Sequence, residues 1–343
     1  FIINGICTIQ GNVDFTGATV FMGPLAKIVL ENNSTFSINN THILACSYMW
    51  NGIIADHPTE TIRVQNSSII EDATKAVIIE NGGICDITFS RFNKNRVHIY
   101  SEFAGQNSII ENNEYNCVNG AIVNCLIPPF TGQHTTKCIE LVTSEITIGQ
   151  AGNGNSFLNS DIGIESNQSR TVILANRFNG LFKVAVNAFY DGELHVRDQN
   201  QFIQCSEGII TTQRVKLVEI LNNTFLNTKR GVYNYKNPYV ILDVSDNQFT
   251  DVGHCAIMST WNLKSQQQFI NNTIIAPTQT TPSLGIYVGE PVMDQNSTYL
   301  IEDNTITNIS NGIHSVNLFK PHIQLNDLTV MPVNNSGITT FGI

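Results

Sequence analysis

The sequence predicts an all-β solenoid, and three observations carry that prediction. The first is a fixed period. Asn176-Arg177-Phe178, Asn200-Gln201-Phe202, Asn223-Thr224-Phe225 and Asn247-Gln248-Phe249 follow one another at steps of 24, 23 and 24 residues. Periods in that range belong to architectures in which each repeat stacks on the last. The second is an apolar spacing of two, as in Val218 and Ile220 or Leu242 and Val244, which is strand spacing and not helix spacing. The third is regular punctuation, with Asn two residues before Phe and Gly about eight residues after Asn, as in Gly208-Ile209 and Gly231-Val232. One repeat is therefore two or three short strands joined by tight turns, and no helix fits between them.

Each part of the repeat has a physical reason. Asn tolerates the left-handed backbone better than most residues, and its amide bonds to nearby backbone. Asparagines at one corner of successive rungs would stack into a hydrogen-bonded ladder, as in cross-β stacks. The predicted ladder is Asn113, Asn155, Asn176, Asn200, Asn223, Asn247, Asn272, Asn304 and Asn326. Three residues before the corner stands an apolar side chain (Ile173, Ile220, Val244). Gly at a second corner is expected to supply a positive φ angle without steric cost.

The period implies one domain over residues 1–343, with roughly 14 rungs of about 21–25 residues. Residues 1–108 read as looser rungs and 109–343 as regular ones. Loop insertions are expected near 126–137, where Pro128-Pro129-Phe130 breaks the strand pattern, near 276–283 and near 290–297. The last second corner would be Gly337-Ile338.

Composition bounds the function. Charged residues are 13% of the chain, about half the usual share of roughly 25%. A polar chain poor in charge suits a secreted β protein. The formal charge is −10 with Lys and Arg scattered, which argues against a nucleic-acid partner. No apolar run is long enough to span a membrane. The chain starts at Phe1 already in strand pattern, so it reads as a processed protein or a segment of a longer one. None of the eight cysteines forms a CxxC pair, so no zinc site is expected. Cys117, Cys125 and Cys138 lie close enough in sequence for one bridge, whereas the other cysteines read as buried thiols packing as small apolar residues.

The Asn-x-Phe/Ile corner followed by Gly-Ile resembles the repeat of right-handed parallel β-helices, such as pectin-degrading enzymes, tailspikes and bacterial surface proteins. The opening is more particular. Ala26-Lys27-Ile28-Val29-Leu30, Asn33-Ser34-Thr35-Phe36, Cys46 and Met49-Trp50-Asn51-Gly52-Ile53 resemble the start of β-helix modules in secreted proteins of gliding Bacteroidetes-type bacteria. That resemblance implies type IX export and attachment to the cell surface, with the export machinery acting through segments outside this chain.

Chemistry is sparse. Asp243, Asp246, Asp251 and His254 form the one suggestive group. Gly253-His254-Cys255 resembles the Gly-His-Gly of polygalacturonases, but the paired aspartates expected one rung earlier are replaced by Lys229-Arg230-Gly231-Val232. Lys183, Arg197, Arg214, Lys216, Lys229 and Arg230 are candidate lyase bases, without an acidic cluster for calcium. No catalytic residue, metal ligand or cofactor is assigned. Tyr233, Tyr235, Tyr239 and Trp261, with Phe130 from the excursion, are candidate binding residues, since aromatics on an outer sheet could form a platform for sugar rings. The expected role is a non-catalytic stalk, adhesin or carbohydrate-binding module at the cell surface, with polysaccharide or surface components as partners. A polysaccharide lyase or glycoside hydrolase is the alternative, and a trimeric tailspike-type depolymerase the second alternative.

Overall fold

The structure is a computed structural model that describes residues 1–104, 107–276 and 283–330. The chain is an all-β parallel solenoid of about 13 turns with three parallel sheets and no helix among the described residues. It divides into two compact units, Phe1–Phe182 and Lys183–Ile343. Gly337-Ile338 and most of the 276–283 insertion lie outside the described residues.

In each unit a rung consists of three strands, one per sheet. In the second unit one such rung runs Glu207–Thr212, then Leu217–Leu221, then Thr224–Leu226. The short strand after the asparagine belongs to the first sheet, the Gly-Ile strand to the second, and the strand leading into the asparagine to the third. Successive rungs pair in parallel. Phe202, Phe225, Phe249, Ile274 and Ile306 share one register position in the first sheet. Ile209, Val232, Ile257, Ile286 and Ile313 share one in the second. Val196, Ile220, Val244, Phe269 and Ile301 share one in the third. All but Ile274, Ile306 and Ile313 are fully buried, and those three nearly so. The core is therefore made of vertical files, because a parallel register repeats each inward position once per rung.

The aromatic file shows what the files contribute. In the first unit the rings of Tyr115, Phe157 and Phe178 stack at 5.0 and 4.7 Å. In the second, Phe202, Phe225 and Phe249 stack at 4.5 and 4.6 Å with planes within 9° of parallel. Such pairs add about 0.5–1.5 kcal/mol beyond the burial of the rings themselves.

The asparagines stand in a continuous side-chain file within each unit. The Oδ1 of Asn223 accepts from the backbone N–H of Asn200 at 3.2 Å and from its Nδ2 at 2.9 Å. Asn247 does the same for Asn223 at 3.0 and 3.1 Å, and Asn272 for Asn247 at 3.1 Å in both bonds. The file continues through Asn304 to Asn326. In the first unit Asn113, Asn155 and Asn176 repeat it. Below Asn113 the same place is taken by hydroxyls. Thr41 Oγ1 accepts from Ala18 N–H, and Ser68 Oγ accepts from Thr41 N–H. Hence the rungs before residue 109 lack the Asn signal while keeping the geometry.

Two details of the repeat differ from expectation. The left-handed residue is the one before the ladder asparagine, as at Asn112, Ala175, Gln199, Asn222, Asp246, Asn271, Asp303 and Leu325. The asparagine itself is needed for its amide, which must face both neighbouring rungs. The glycines at Gly208, Gly231 and Gly285 do not mark a positive-φ corner either. They lie inside second-sheet strands. A Cβ on Gly231 would stand 2.5 Å from Ala256 O and 2.6 Å from Phe249 Cε1. Close approach to the next strand and to the stacked ring requires glycine there. The excursion in the first unit is also longer than expected, filling 117–136 between strands Glu114–Asn116 and Lys137–Val142.

Gly231→Ala should lower unfolding free energy by about 1–3 kcal/mol, because backbone and ring must both move. Gly253→Ala, whose Cβ would meet nothing nearer than 3.8 Å, should stay within about 0.5 kcal/mol of the parent. Urea titration of both variants decides it, and equal effects would contradict the close-approach account. Asn223→Ala should cost about 2–3 kcal/mol, since it strands donors of Asn200 in the interior. Asn223→Asp should not recover the loss, because the Nδ2 donor that serves Val196 O and Leu221 O is gone and a charge replaces it.

Candidate functional site

A cleft of about 730 Å³ lies on the outer face of the third sheet in the second unit. Its floor follows from the strand alternation. In Leu217–Leu221 the side chains of Val218 and Ile220 point inward, so Leu217 and Glu219 point out. The register places Glu219, Asp243, Gln268, Leu300 and His322 in one outward file. Leu217, Ile241, Gln266 and Thr298 form the file beside it. Gln295 and Ser297 of the 290–297 insertion line the cleft, as do Phe319 and Lys320.

Glu219 and Asp243 are the site's acids. They occupy the same register position on hydrogen-bonded strands, which sets their backbones about 4.8 Å apart. His195 Nδ1 lies 2.6 Å from Glu219 Oε2, and Arg197 Nη2 lies 3.5 Å from the same oxygen. Asp243 accepts from Ser245 Oγ. A carboxylate facing an imidazole and a guanidinium beside one with a hydroxyl partner is an asymmetric pair.

These residues were legible in principle. Glu219, Asp243, Gln268, Leu300 and His322 each stand four places before a ladder asparagine. Aligning the rungs on that asparagine superposes them. The group Asp243, Asp246, Asp251 and His254 does not converge. Asp243 faces the cleft, Asp246 takes the left-handed place before Asn247, and Asp251 and His254 flank the turn between Gln248–Thr250 and Cys255–Thr260.

The candidate aromatic residues fall on another surface. Tyr233 and Tyr235 project from the outer face of the second sheet and stack on each other at 5.7 Å. Along the strand the order is Arg230, Tyr233, Tyr235, Lys236. The guanidinium of Arg230 lies 4.4 Å from the Tyr233 ring and is itself paired with Glu207. Lys236 Nζ lies 5.0 Å from the Tyr235 ring and 5.7 Å from the Trp261 ring. The two stacked rings thus have a cation beside each of them. Trp261 and Tyr239 keep 52% and 64% of their surface exposed. Phe130 belongs to the first unit, with the Arg96 guanidinium 4.0 Å from its ring.

The corner that carries Lys236 and Trp261 holds a second, shorter ladder. Asn237 Oδ1 accepts from Val215 N–H at 3.1 Å, Asn262 Oδ1 from Asn237 N–H at 2.8 Å, and Glu290 Oε2 from Asn262 N–H at 2.7 Å. Lys236 and Trp261 are the left-handed residues before its asparagines. Glu290 therefore places a carboxyl where an amide would serve. It is 4% exposed, and its Oε1 has no hydrogen-bond partner. Burial pushes its carboxyl up to about 7, against the hydrogen bond from the Asn262 N–H and with nearby Asp294 adding to the rise. Tyr299 and Ser297, beside it, also line the cleft.

In the first unit a shallower hollow of about 500 Å³ is lined by Phe89, Arg91, Asn112 and Glu114. Arg91 and Glu114 pair there at 3.1 Å. The unit also holds a charged cluster. Burial works against ionisation of Glu71, but hydrogen bonds from His42 and Asn93 and the charge of Lys94 hold it down to about 2.

No protein-family model matches the chain, and no curated protein matches it. Solved structures do. A mutant tailspike protein of E. coli bacteriophage HK620 in complex with hexasaccharide superposes with a TM-score of 0.51 at 12% identity, over 92% of this chain and 71% of that one. Another mutant of the same tailspike gives 0.50 at 12% identity over 91% of this chain, which spans 64% of the tailspike's length. The Streptococcus pneumoniae surface protein and adhesin PfbA gives 0.46 at 15% identity, over 93% of this chain and 91% of that one. The tailspike likeness is one of fold, and it identifies the solenoid as a right-handed parallel β-helix. Among the described residues no helix is long and apolar enough to cross a membrane.

Glu290 sets a pH dependence with a definite sign. Its folded value of about 7 lies above the ordinary 4.5, so the stability it contributes is full below pH 4.5 and is lost as pH rises through about 7. Glu290→Gln should remove that slope and leave the protein more stable than the parent at pH 8. Thermal melts of both proteins from pH 4.5 to 8.5 check this, and parallel curves would contradict it. Glu71 runs the other way, losing its contribution as pH falls from 4.5 towards 2.

Proposed function

We propose that this chain is a glycan-binding β-helix module of an extracellular or cell-surface protein, serving as an adhesin or stalk, and that the third-sheet cleft of the second unit is its saccharide site. One observation carries the reading. The cleft combines outward carboxylates, amides and hydroxyls (Glu219, Asp243, Gln266, Gln268, Thr298) with apolar Leu217, Ile241, Leu300 and Phe319. A pyranose ring asks for that mixture, since its edges carry hydroxyls and its faces carry C–H groups. The rung rise of about 4.8 Å also approximates the length of one sugar residue, so successive rungs can meet successive sugars. The size suits an oligosaccharide, being within the range of about 300–1,000 Å³ found for ligand pockets.

The acids favour a neutral or amino sugar over a polyuronate, whose carboxylates Glu219 and Asp243 would repel. Exposed Trp261 and Tyr239 supply a second contact at the corner leading into the same sheet. The resemblance of the opening residues adds type IX export in a gliding Bacteroidetes-type bacterium to the proposal.

A second reading is favoured by the in-register acids. Retaining glycosidases hold two carboxyl groups about 5–5.5 Å apart, and Glu219 and Asp243 project from in-register positions on strands about 4.8 Å apart. On this reading the chain is a glycoside hydrolase with the same cleft.

Affinity electrophoresis against neutral, amino-sugar and uronic-acid polysaccharides tests both. The binding reading expects retention by a neutral or amino-sugar polymer, weakened at least about tenfold by Gln268→Ala or Asp243→Ala, a loss of about 1.4 kcal/mol or more. Retention unchanged in both variants would refute the cleft. Reducing ends released by the parent but not by Asp243→Asn would establish hydrolysis.

A further inference from the structure

Cys117 and Cys125 lie at the foot of the first unit's excursion. Cys117 directly follows strand Glu114–Asn116, and its sulfur is 3.6 Å from that of Cys125. Cys117 is fully buried against Met49 and Leu126, while Cys125 is partly exposed.

The chain is held on both sides of each thiol. Cys117 N–H donates to Asn116 Oδ1 at 2.8 Å. Val118 is clamped by Asn93, which accepts from its N–H and donates to its carbonyl, both at 2.9 Å. Asn119 and Ile122 exchange backbone bonds at 2.9 and 3.1 Å, closing a small turn between the cysteines. Leu126 N–H donates to Gln133 O at 3.1 Å. The two sulfurs are thus brought together by backbone that is already fixed.

Other cysteines show what an inert thiol looks like here. Cys85, Cys138 and Cys255 are fully buried, and burial pushes each up to about 12. Cys138 is bonded to Ser160 Oγ at 3.0 Å, and Cys255 donates to Ile257 O at 3.1 Å. Cys117 differs. The hydrogen bond it shares with Cys125 outweighs burial, Thr135 assists, and its thiol is drawn down. Cys125 moves the opposite way. The two sulfurs share a hydrogen bond, and of the pair Cys125 is the one that reaches the surface, with Cys117 within reach to resolve.

We propose that Cys117 and Cys125 are a dithiol–disulfide pair, and that an oxidant of the disulfide class converts them to a cystine that staples the excursion to the solenoid. The accessible Cys125 sulfur, as its thiolate, attacks one sulfur of the oxidant's disulfide and expels the other as a thiolate, which takes up a proton. Cys117 then loses its proton and attacks Cys125 Sγ in the mixed disulfide, expelling the second thiolate, which is protonated in turn. Two protein thiols are oxidised, and one disulfide is reduced to two thiols. The cystine would fix the segment that gives Pro128 O to Met49 N–H at 2.9 Å and carries Phe130. The inference does not rest on the glycan reading.

The test is thiol mapping. The full chain is treated with oxidised glutathione, unfolded without reductant, alkylated and digested. Two of the eight cysteines should resist alkylation, the mass should fall by two hydrogens, and one peptide should join residues 117 and 125. Cys117→Ser and Cys125→Ser should each form no bridge within the chain, the remaining member of the pair being alkylated or carrying one glutathione, while Cys138→Ser should keep the bridged pair. Eight alkylated cysteines, or a bridge from Cys117 to any other partner, would overturn the proposal. Mapping of the parent decides it even where a serine variant fails to fold.

Discussion

The structure depends on how its corners are closed. Parallel strands need no side chain to pair, but each turn between them leaves backbone N–H groups with no strand opposite. In the second unit those groups go to the amide oxygen of an asparagine one rung on, and the asparagine's own Nδ2 goes back to the carbonyls beside it. A buried amide left unpaired costs about 1–3 kcal/mol, so a register slip of one residue would orphan a donor at every corner and turn the apolar file outward. The ladder therefore fixes the register, and the register fixes everything that faces solvent.

The functional surface inherits that order. Glu219 meets Asp243, and Asp243 meets Gln268, because each stands the same distance before its own ladder residue. The insertion at 290–297 then places Gln295 and Ser297 against the cleft. Glu290 lies where these parts join, as the last acceptor of the second ladder. A carboxyl in an amide's place makes that join sensitive to pH, whereas an asparagine would have been indifferent.

Much of this was written in the sequence, for a reason that also explains what was not. The ladder and the phenylalanine file demand one residue type per rung, so their period is visible by eye. Thr41 and Ser68 meet the same demand with hydroxyls, which hides the period before residue 109. The role of Gly231 was misassigned because a missing side chain looks the same whether φ or crowding requires it. Asn237 and Asn262 were passed over because their file ends in Glu290 and breaks the signature after two rungs. The outward acids carried no repeated residue type at all, so only alignment on the ladder reveals them. The cation–aromatic contacts depend on ring orientation, which no spacing encodes.

The central claim is that corner amides are bonded to side chains and not to water. Hydrogen exchange read residue by residue tests it directly. The backbone N–H groups of Asn200, Asn223, Asn247 and Asn272 should be protected to the same degree as those of the flanking strand interiors, although they lie in turns. Exchange at the rate of an open loop at these four positions would contradict the account.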